Sequence, residues 1–136
     1  MEDRVTESAL ALAAGAVDYG AQLGKTLDYT PGSVMALDEM LALYHESVDE
    51  VEPTESQLYS LALLFGCYLG ECIRRAVPES GCHWVAVEGE PVLDQQGVRF
   101  GPVSKVYRRL IDCEEEGLIP YFHVVAGFLR EGKNFD

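Results

Sequence analysis

The chain has 136 residues, the length of one domain, and its 48% hydrophobic and 24% charged residues are typical of a globular protein. Its formal net charge is −13. Nucleic-acid backbones and anionic membrane surfaces are bound through Lys and Arg, so this charge predicts that neither is a partner. No apolar run in the sequence reaches the roughly 18 residues of a membrane span, and the longest candidate, residues 58–73, is broken by Gly66, Gly70 and Glu71.

The N-terminal residues and the cysteines indicate the cellular compartment. The chain begins Met-Glu-Asp-Arg, without the basic region of a secretory signal, and we expect a cytoplasmic protein. No Cys-x-x-Cys pair occurs among the four cysteines, which are Cys67, Cys72, Cys82 and Cys113. The first two would lie about 140° apart on a helix and cannot share a ligand face. We interpret all four as buried thiols and expect neither a metal nor a cofactor.

The negative charge is concentrated in the first 60 residues. This part contains twelve acidic residues against Arg4 and Lys25, whereas residues 61–100 contribute a charge of −2 and residues 101–136 a charge of −1. The simplest interpretation is solubility. A more specific one is a basic protein partner that is attracted to the N-terminal half.

Two amphipathic helices are predicted in that half. The first runs from about residue 5 to residue 23, with a stripe of mostly small side chains at Val5, Ala9, Leu12, Ala13, Ala16, Gly20 and Leu23. The second begins near Thr30, a good N-cap that is followed by Pro31. Its predicted buried face contains Val34, Leu37, Leu41, Tyr44 and Val48, and its predicted solvent face contains Asp38, Glu39, Glu46 and Asp49.

The third predicted helix is apolar on almost every side and should therefore lie at the centre of the domain. Thr54 and Gln57 form a capping box at its start, and the helix continues to about Ala76. Gly66 and Gly70 lie one turn apart and leave a groove for a close neighbour. We expect the stripe of small residues on the first helix to fill this groove.

A three-stranded antiparallel meander follows. The predicted strands are Cys82–Glu88, Pro91–Asp94 and Val98–Phe100. Pro91 cannot donate a ladder hydrogen bond, so its strand is expected to lie at an edge or to begin there. His83 and Trp84 should point to opposite faces, with Trp84 in the core and His83 in solvent or the reverse.

Two helices complete the chain. The first opens at Gly101-Pro102, with Val103, Val106, Tyr107 and Leu110 predicted as buried and Lys105, Arg108 and Arg109 as exposed. After a predicted loop at 114–117, the last helix starts at Pro120, runs to about residue 129 and carries Tyr121, Val124, Val125 and Phe128. Gly132–Asp136 is predicted to be a frayed tail. The order ααα-βββ-αα predicts a single α+β domain over residues 1–136.

Several short motifs occur in order between residues 27 and 125. They are Leu27-Asp28-Tyr29-Thr30-Pro31, Gly66-Cys67-Tyr68-Leu69-Gly70-Glu71, Gly81-x-x-Trp84-Val85 and Pro102-Val103-Ser104-Lys105-Val106. In this combination the chain resembles a family of small bacterial domains of unknown function, in which serine is usual at the position of Thr30. The resemblance implies the same α+β architecture and implies no activity, cofactor or site residues.

Glu71 is the first candidate for a catalytic residue. It lies on the apolar third helix, and a buried carboxyl has a raised pKa and can act as a general acid or base. The competing interpretation is ion pairing with Arg74 and Arg75, three and four residues further on. A further structural option is that Glu71 hydrogen-bonds backbone groups near the strand and fixes the junction between helix and sheet. His83 is a weaker candidate, because it needs an acid or thiol partner and the adjacent Cys82 points to the opposite face.

Other catalytic patterns are missing from the sequence. It contains no Gly-x-Ser-x-Gly motif and no phosphate-binding loop. His45 and His123 lie in separate predicted helices without ligand-like neighbours one turn away, so no zinc site is expected. We therefore expect a protein without enzymatic activity.

An acidic run at the turn between the second and third helices is the predicted partner-binding site. Its five carboxylates are Glu46, Asp49, Glu50, Glu52 and Glu55. The ligand spacing and central glycine of an EF-hand calcium loop are missing. The remaining interpretations are a solvated loop and a docking surface for a basic protein.

Three functional hypotheses follow. The first is a non-enzymatic acidic protein that binds a basic one, such as an immunity or regulatory protein that blocks a toxin. The second is a small-ligand binder or an enzyme that uses Glu71, with His83 or Arg74, in a cleft between helix and sheet. The third is a structural subunit that forms a homodimer through apolar surface on the first or last helix.

Overall fold

The computed structural model describes residues 4–112 and 117–132, except for the side chains of residues 47–49, 51, 112 and 132. Within these ranges the chain forms five α-helices and one three-stranded antiparallel sheet in the predicted order, which confirms the α+β fold class. The elements are α1 (Arg4–Gln22), α2 (Ser33–Val51), α3 (Glu55–Ala76), β1 (His83–Val87), β2 (Glu90–Gln95), β3 (Val98–Phe100), α4 (Pro102–Asp112) and α5 (Leu118–Gly132).

Three sequence predictions concern residues beyond these ranges. Cys113, the acidic loop residues 114–116 and residues 133–136 of the predicted tail all lie outside the described part of the chain. In the described part, no helix combines the length and the apolar character that a membrane crossing requires.

Helix α3 is the central element because its middle part is covered on every side. All nine residues from Phe65 to Ile73 are buried, and α1 and α4 both pack along this helix. Its predicted capping box is confirmed. Oγ1 of Thr54 accepts a hydrogen bond from the backbone N–H of Gln57 at 3.1 Å, and the N–H of Thr54 donates to Oε1 of Gln57 at 2.9 Å.

The glycine groove of α3 is filled by α4 and β1, so the prediction that α1 fills it was wrong. A Cβ on Gly66 would lie 2.5 Å from Cα of Val103, in the first turn of α4. A Cβ on Gly70 would overlap the indole of Trp84 and would lie 3.2 Å from Cγ of Pro102. Helix α1 packs elsewhere along α3, where Gly15 lies close to Leu64, and buries Ala9, Ala13, Ala16 and Gly20.

The sheet is a meander with strand order β1-β2-β3. Both hairpins use two-residue turns, Glu88-Gly89 and Gln96-Gly97, and all four residues have a positive φ. This backbone is that of the type I′ turn, which matches the twist of antiparallel strands. Pro91 is the second residue of β2, which is the central strand. The prediction that its strand lies at an edge was therefore wrong, and the alternative, that Pro91 lies near the start of its strand, is confirmed.

Three charged side chains that were predicted to face solvent are partly or fully buried. Nε of Arg109 on α4 donates to Oδ1 of Asp38 on α2 at 3.0 Å, and the same oxygen accepts the N–H of Leu118 at 3.2 Å. Asp38 therefore links α2 to both C-terminal helices. Lys105 is 7% exposed, and its Nζ lies 5.5 Å from the ring centroid of Tyr121. The predicted exposure of Asp38, Lys105 and Arg109 was wrong because each finds a partner on another helix.

Two apolar side chains that were predicted to belong to buried faces are exposed. Val124 on α5 is 71% exposed, and Leu23, which follows α1, is 51% exposed. Helix α5 instead buries Phe122, Val125, Ala126 and Leu129.

Replacement of Gly66 with alanine is expected to destabilise the protein by about 2 kcal/mol or more, because the new methyl group meets the backbone of Val103 and forces the two helices apart. Gly127→Ala on α5 is the matched control, since no neighbouring atom lies within 4 Å of the position of its Cβ. There alanine should stabilise the helix by up to about 1 kcal/mol. Urea unfolding followed by circular dichroism measures both changes, and equal stabilities of the two variants would contradict this packing.

Candidate functional site

Glu71 is completely buried and its carboxylate receives four N–H groups. Arg74 donates through Nε (2.7 Å) and Nη2 (3.0 Å), Arg75 through Nε (3.0 Å) and Trp84 through Nε1 (2.7 Å). The predicted ion pairs with both arginines are confirmed. A link between helix and strand is also present, but its donor is the Trp84 indole and not the predicted backbone group.

These donors decide the protonation state of Glu71. Burial alone raises the pKa of its carboxyl, but the hydrogen bonds and charges of the two arginines and the bond from Trp84 outweigh burial and hold the pKa below its usual range. A general acid near neutral pH requires the opposite shift. The geometry is that of an ionised carboxylate that joins α3 to β1.

The same network extends to the segment before α2. The guanidinium of Arg75 lies 3.8 Å from the ring centroid of Tyr29, which in turn packs on Tyr68 with 4.9 Å between ring centroids. Tyr29 has a φ of +66°, a left-handed conformation that costs about 1 kcal/mol or more in a non-glycine residue. Its N–H donates to the hydroxyl of Tyr68 at 2.8 Å, and that hydroxyl also bonds Ser33. Aromatic packing and these bonds hold the strained backbone in place.

The histidines occupy separate places in the fold. His83 is exposed, with Nδ1 3.2 Å from the carbonyl oxygen of Gly81, while Trp84 is buried on the other face of the strand. Nδ1 of His45 lies 2.6 Å from the carbonyl oxygen of Leu110, near the end of α4. His123 is exposed on α5. No group of three potential ligands among His, Cys, Asp and Glu comes together within the described ranges.

Three of the four cysteines are buried free thiols, as predicted, and Cys113 lies outside the described ranges. Burial raises the pKa of Cys67 to about 12 and the pKa values of Cys72 and Cys82 to about 11. At neutral pH these thiols are protonated and are poor nucleophiles.

The acidic run forms an exposed surface around the end of α2 and the start of α3, which we call the acidic turn. The exposed carboxylates are those of Glu46, Glu50, Glu52 and Glu55, while the side chain of Asp49 lies outside the described part. Among the described residues, no lysine or arginine pairs with these four. Glu55 also begins α3, where a negative charge is favoured by the helix dipole.

A groove of about 530 Å³ lies between the first turns of α3 and the middle of α4. It is lined by Glu55, Ser56, Tyr59, Ser104, Tyr107 and Arg108. The groove was not predicted from the sequence, because Tyr107 was assigned to the core and Tyr59 belongs to a helix predicted to be apolar on almost every side. The only sequence feature that pointed to the groove was Tyr59, an aromatic residue among the polar residues at the start of that helix.

The two tyrosines form the aromatic part of the groove. Their ring centroids are 6.5 Å apart at an interplanar angle of 59°. The hydroxyl of Tyr59 donates to Oε1 of Glu90 at 2.7 Å, and burial together with this bond raises the pKa of Tyr59 to about 12. The ring of Tyr59 is therefore held in position although 38% of the residue is exposed.

Glu55 connects the two features, because it is both the last carboxylate of the acidic turn and a lining residue of the groove. The groove and the acidic turn thus form one continuous surface. Glu71, in contrast, is absent from the lining of this groove.

Comparisons with protein-family profiles, curated proteins and solved structures found no significant match to this chain. Its function is therefore inferred from the residues and their geometry.

Glu71→Gln is expected to lower the free energy of unfolding by about 2 kcal/mol at pH 7, because the buried side chain loses the charge that strengthens its hydrogen bonds with two partly exposed arginines and Trp84. Glu39→Gln is the control, since it removes an exposed ion pair with Lys25 and should cost less than about 1 kcal/mol.

A sharper test is the pH dependence of the difference in free energy of unfolding between wild type and Glu71→Gln. The folded-state pKa of Glu71 is below its ordinary value of 4.5, so its stabilising effect is complete above that value and is lost as the pH falls through the lower folded-state pKa. Urea titrations of wild type and Glu71→Gln at several pH values should show a difference that shrinks on acidification. A difference that stays constant into strong acid would contradict an ionised Glu71.

Proposed function

We propose that the protein is a non-enzymatic binding protein that engages a basic partner protein through the acidic turn, as an immunity or regulatory protein does. The observation that carries the proposal is the set of exposed carboxylates in the acidic turn that, among the described residues, have no lysine or arginine partner. Such carboxylates are available to cations on another molecule.

The charge of the whole chain supports the same function. A protein of net charge −13 creates a long-range field, and fields of this kind raise association rates of oppositely charged partners by about 10-fold to 1,000-fold at low salt. The field is screened beyond about 8 Å at physiological ionic strength. Most of the charge lies in the first 60 residues, so attraction is strongest towards the half of the chain that contains the acidic turn.

The groove supports a docking function rather than steering alone. Charged surfaces contribute association rate and specificity more than affinity, and a lasting complex also needs buried apolar contacts. The groove that adjoins the acidic turn at Glu55 offers such contacts through Tyr59 and Tyr107.

The alternative of an enzyme or small-ligand binder at Glu71 has weaker support. Glu71 is buried, as that hypothesis requires, but four N–H groups already occupy both carboxylate oxygens. The lowered pKa of Glu71 also disfavours a role as general acid.

The alternative of a homodimer rests on exposed apolar side chains of the first and last helices, among them Tyr19 on α1 and Val124 on α5. Size-exclusion chromatography with light scattering measures the mass in solution directly. A mass of one chain at micromolar concentration would remove this alternative.

The proposed function predicts that Asp49→Lys, Glu50→Lys and Glu52→Lys together abolish retention of the partner. The experiment compares three immobilised baits in native host lysate at low and high salt: wild type, this triple variant, and a control triple variant, Glu7→Lys, Glu79→Lys and Glu131→Lys. The control changes net charge equally at exposed acids on other elements. A basic protein should be retained by wild type and control, and its association rate at low salt should fall about 10-fold or more in the acidic-turn variant.

Equal retention by all three baits would show that the acidic turn is not the binding surface. Retention that is lost equally in both triple variants would mean that only total charge matters, which also contradicts a site at the turn.

A further inference from the structure

We propose that the groove between α3 and α4 holds an aromatic side chain of the partner, in a segment where that side chain is flanked by lysine or arginine. This inference rests on the proposed function and names the chemistry of the partner segment that docks there.

The aromatic lining of the groove favours a ring through its shape and its rigidity. Tyr59 and Tyr107 stand 6.5 Å apart and inclined at 59°, and a third ring placed against them makes the tilted contacts that aromatic side chains prefer. The bond from Tyr59 to Glu90 holds one ring in place before any partner arrives. A side chain that is already ordered loses little conformational entropy on binding, which favours affinity.

The charges at the groove favour different residues at the anchor position and beside it. Glu55 and Arg108 both line the groove, so their opposite charges give its interior no net preference for a charged side chain. The rings of Tyr59 and Tyr107 in the lining instead favour contact with another ring. The anchor is therefore aromatic.

The residues beside the anchor meet negative charge. Glu55 lies at the groove, and Glu52 lies three residues earlier along the chain, a separation of at most about 11 Å between Cα atoms. Both carboxylates are exposed. Lysine or arginine residues next to the anchor reach these carboxylates while the ring occupies the groove.

The volume is consistent with this occupant. A groove of about 530 Å³ falls within the range of roughly 300 to 1,000 Å³ found for sites that enclose small organic groups. It has room for one aromatic side chain together with the stems of its neighbours.

The test uses three capped five-residue peptides: phenylalanine between two pairs of lysines, the same peptide with alanine at the centre, and phenylalanine between two pairs of glutamines. Isothermal titration calorimetry at low salt measures their affinities for the full chain. We expect the first peptide to bind about 10-fold or more tightly than either of the others, which is an ordinary effect for one buried aromatic anchor.

Variants of Tyr107 assign the preference to the groove. Tyr107→Ala should remove the advantage of phenylalanine over alanine, and Tyr107→Phe, which keeps the ring, should retain it. In wild type, NMR titration with the first peptide should shift the ring protons of Tyr59 and Tyr107 and leave those of Tyr121 unchanged. This measurement keeps the test independent of how well Tyr107→Ala folds.

The outcomes separate the two proposals. If both lysine peptides bind equally, the aromatic anchor is wrong while the acidic docking function stands. If the glutamine peptide binds as well as the lysine peptide, the basic flanks are wrong. If neither lysine peptide binds at low salt, both the anchor and the proposed function are contradicted.

Discussion

The buried carboxylate of Glu71 is the interaction on which the rest of the structure depends. Moving an ionised carboxylate out of water costs several kcal/mol unless other donors replace the water, and here Arg74, Arg75 and Trp84 supply them. The indole bond holds β1 against α3. Because Arg75 also lies on the ring of Tyr29, the same carboxylate positions the segment that leads into α2. One charge on the central helix thus sets the place of the sheet and of a second helix.

The proposed binding surface follows from the close packing beside that network. Gly66 lets the backbone of Val103 approach α3 closely, and further along the same helix pair the rings of Tyr59 and Tyr107 come within 6.5 Å. The groove therefore opens between helices whose separation is set by a glycine. A surface built on such packing changes little when a partner binds, which suits a docking function.

Features that depend on neighbouring residues were predictable from the sequence. The capping box at Thr54, the ion pairs from Glu71 to residues three and four positions later, and the opposite orientation of His83 and Trp84 are all present. Each arises within a few residues, where helix and strand geometry alone determine which groups meet. Contacts between distant residues were not predictable. Asp38 and Arg109 were both expected in solvent, yet they pair with each other across 71 positions.

By itself, the sequence determined the order of the elements, the α+β class, the start of α3 and the concentration of acidic residues before it. Only the tertiary structure decided that α4 and Trp84, rather than α1, fill the glycine groove, and that Tyr59 and Tyr107 form a groove beside the acidic turn. The physical reason is that periodicity and residue size define a face of a helix, whereas the element that covers this face is selected by the packing of the whole chain.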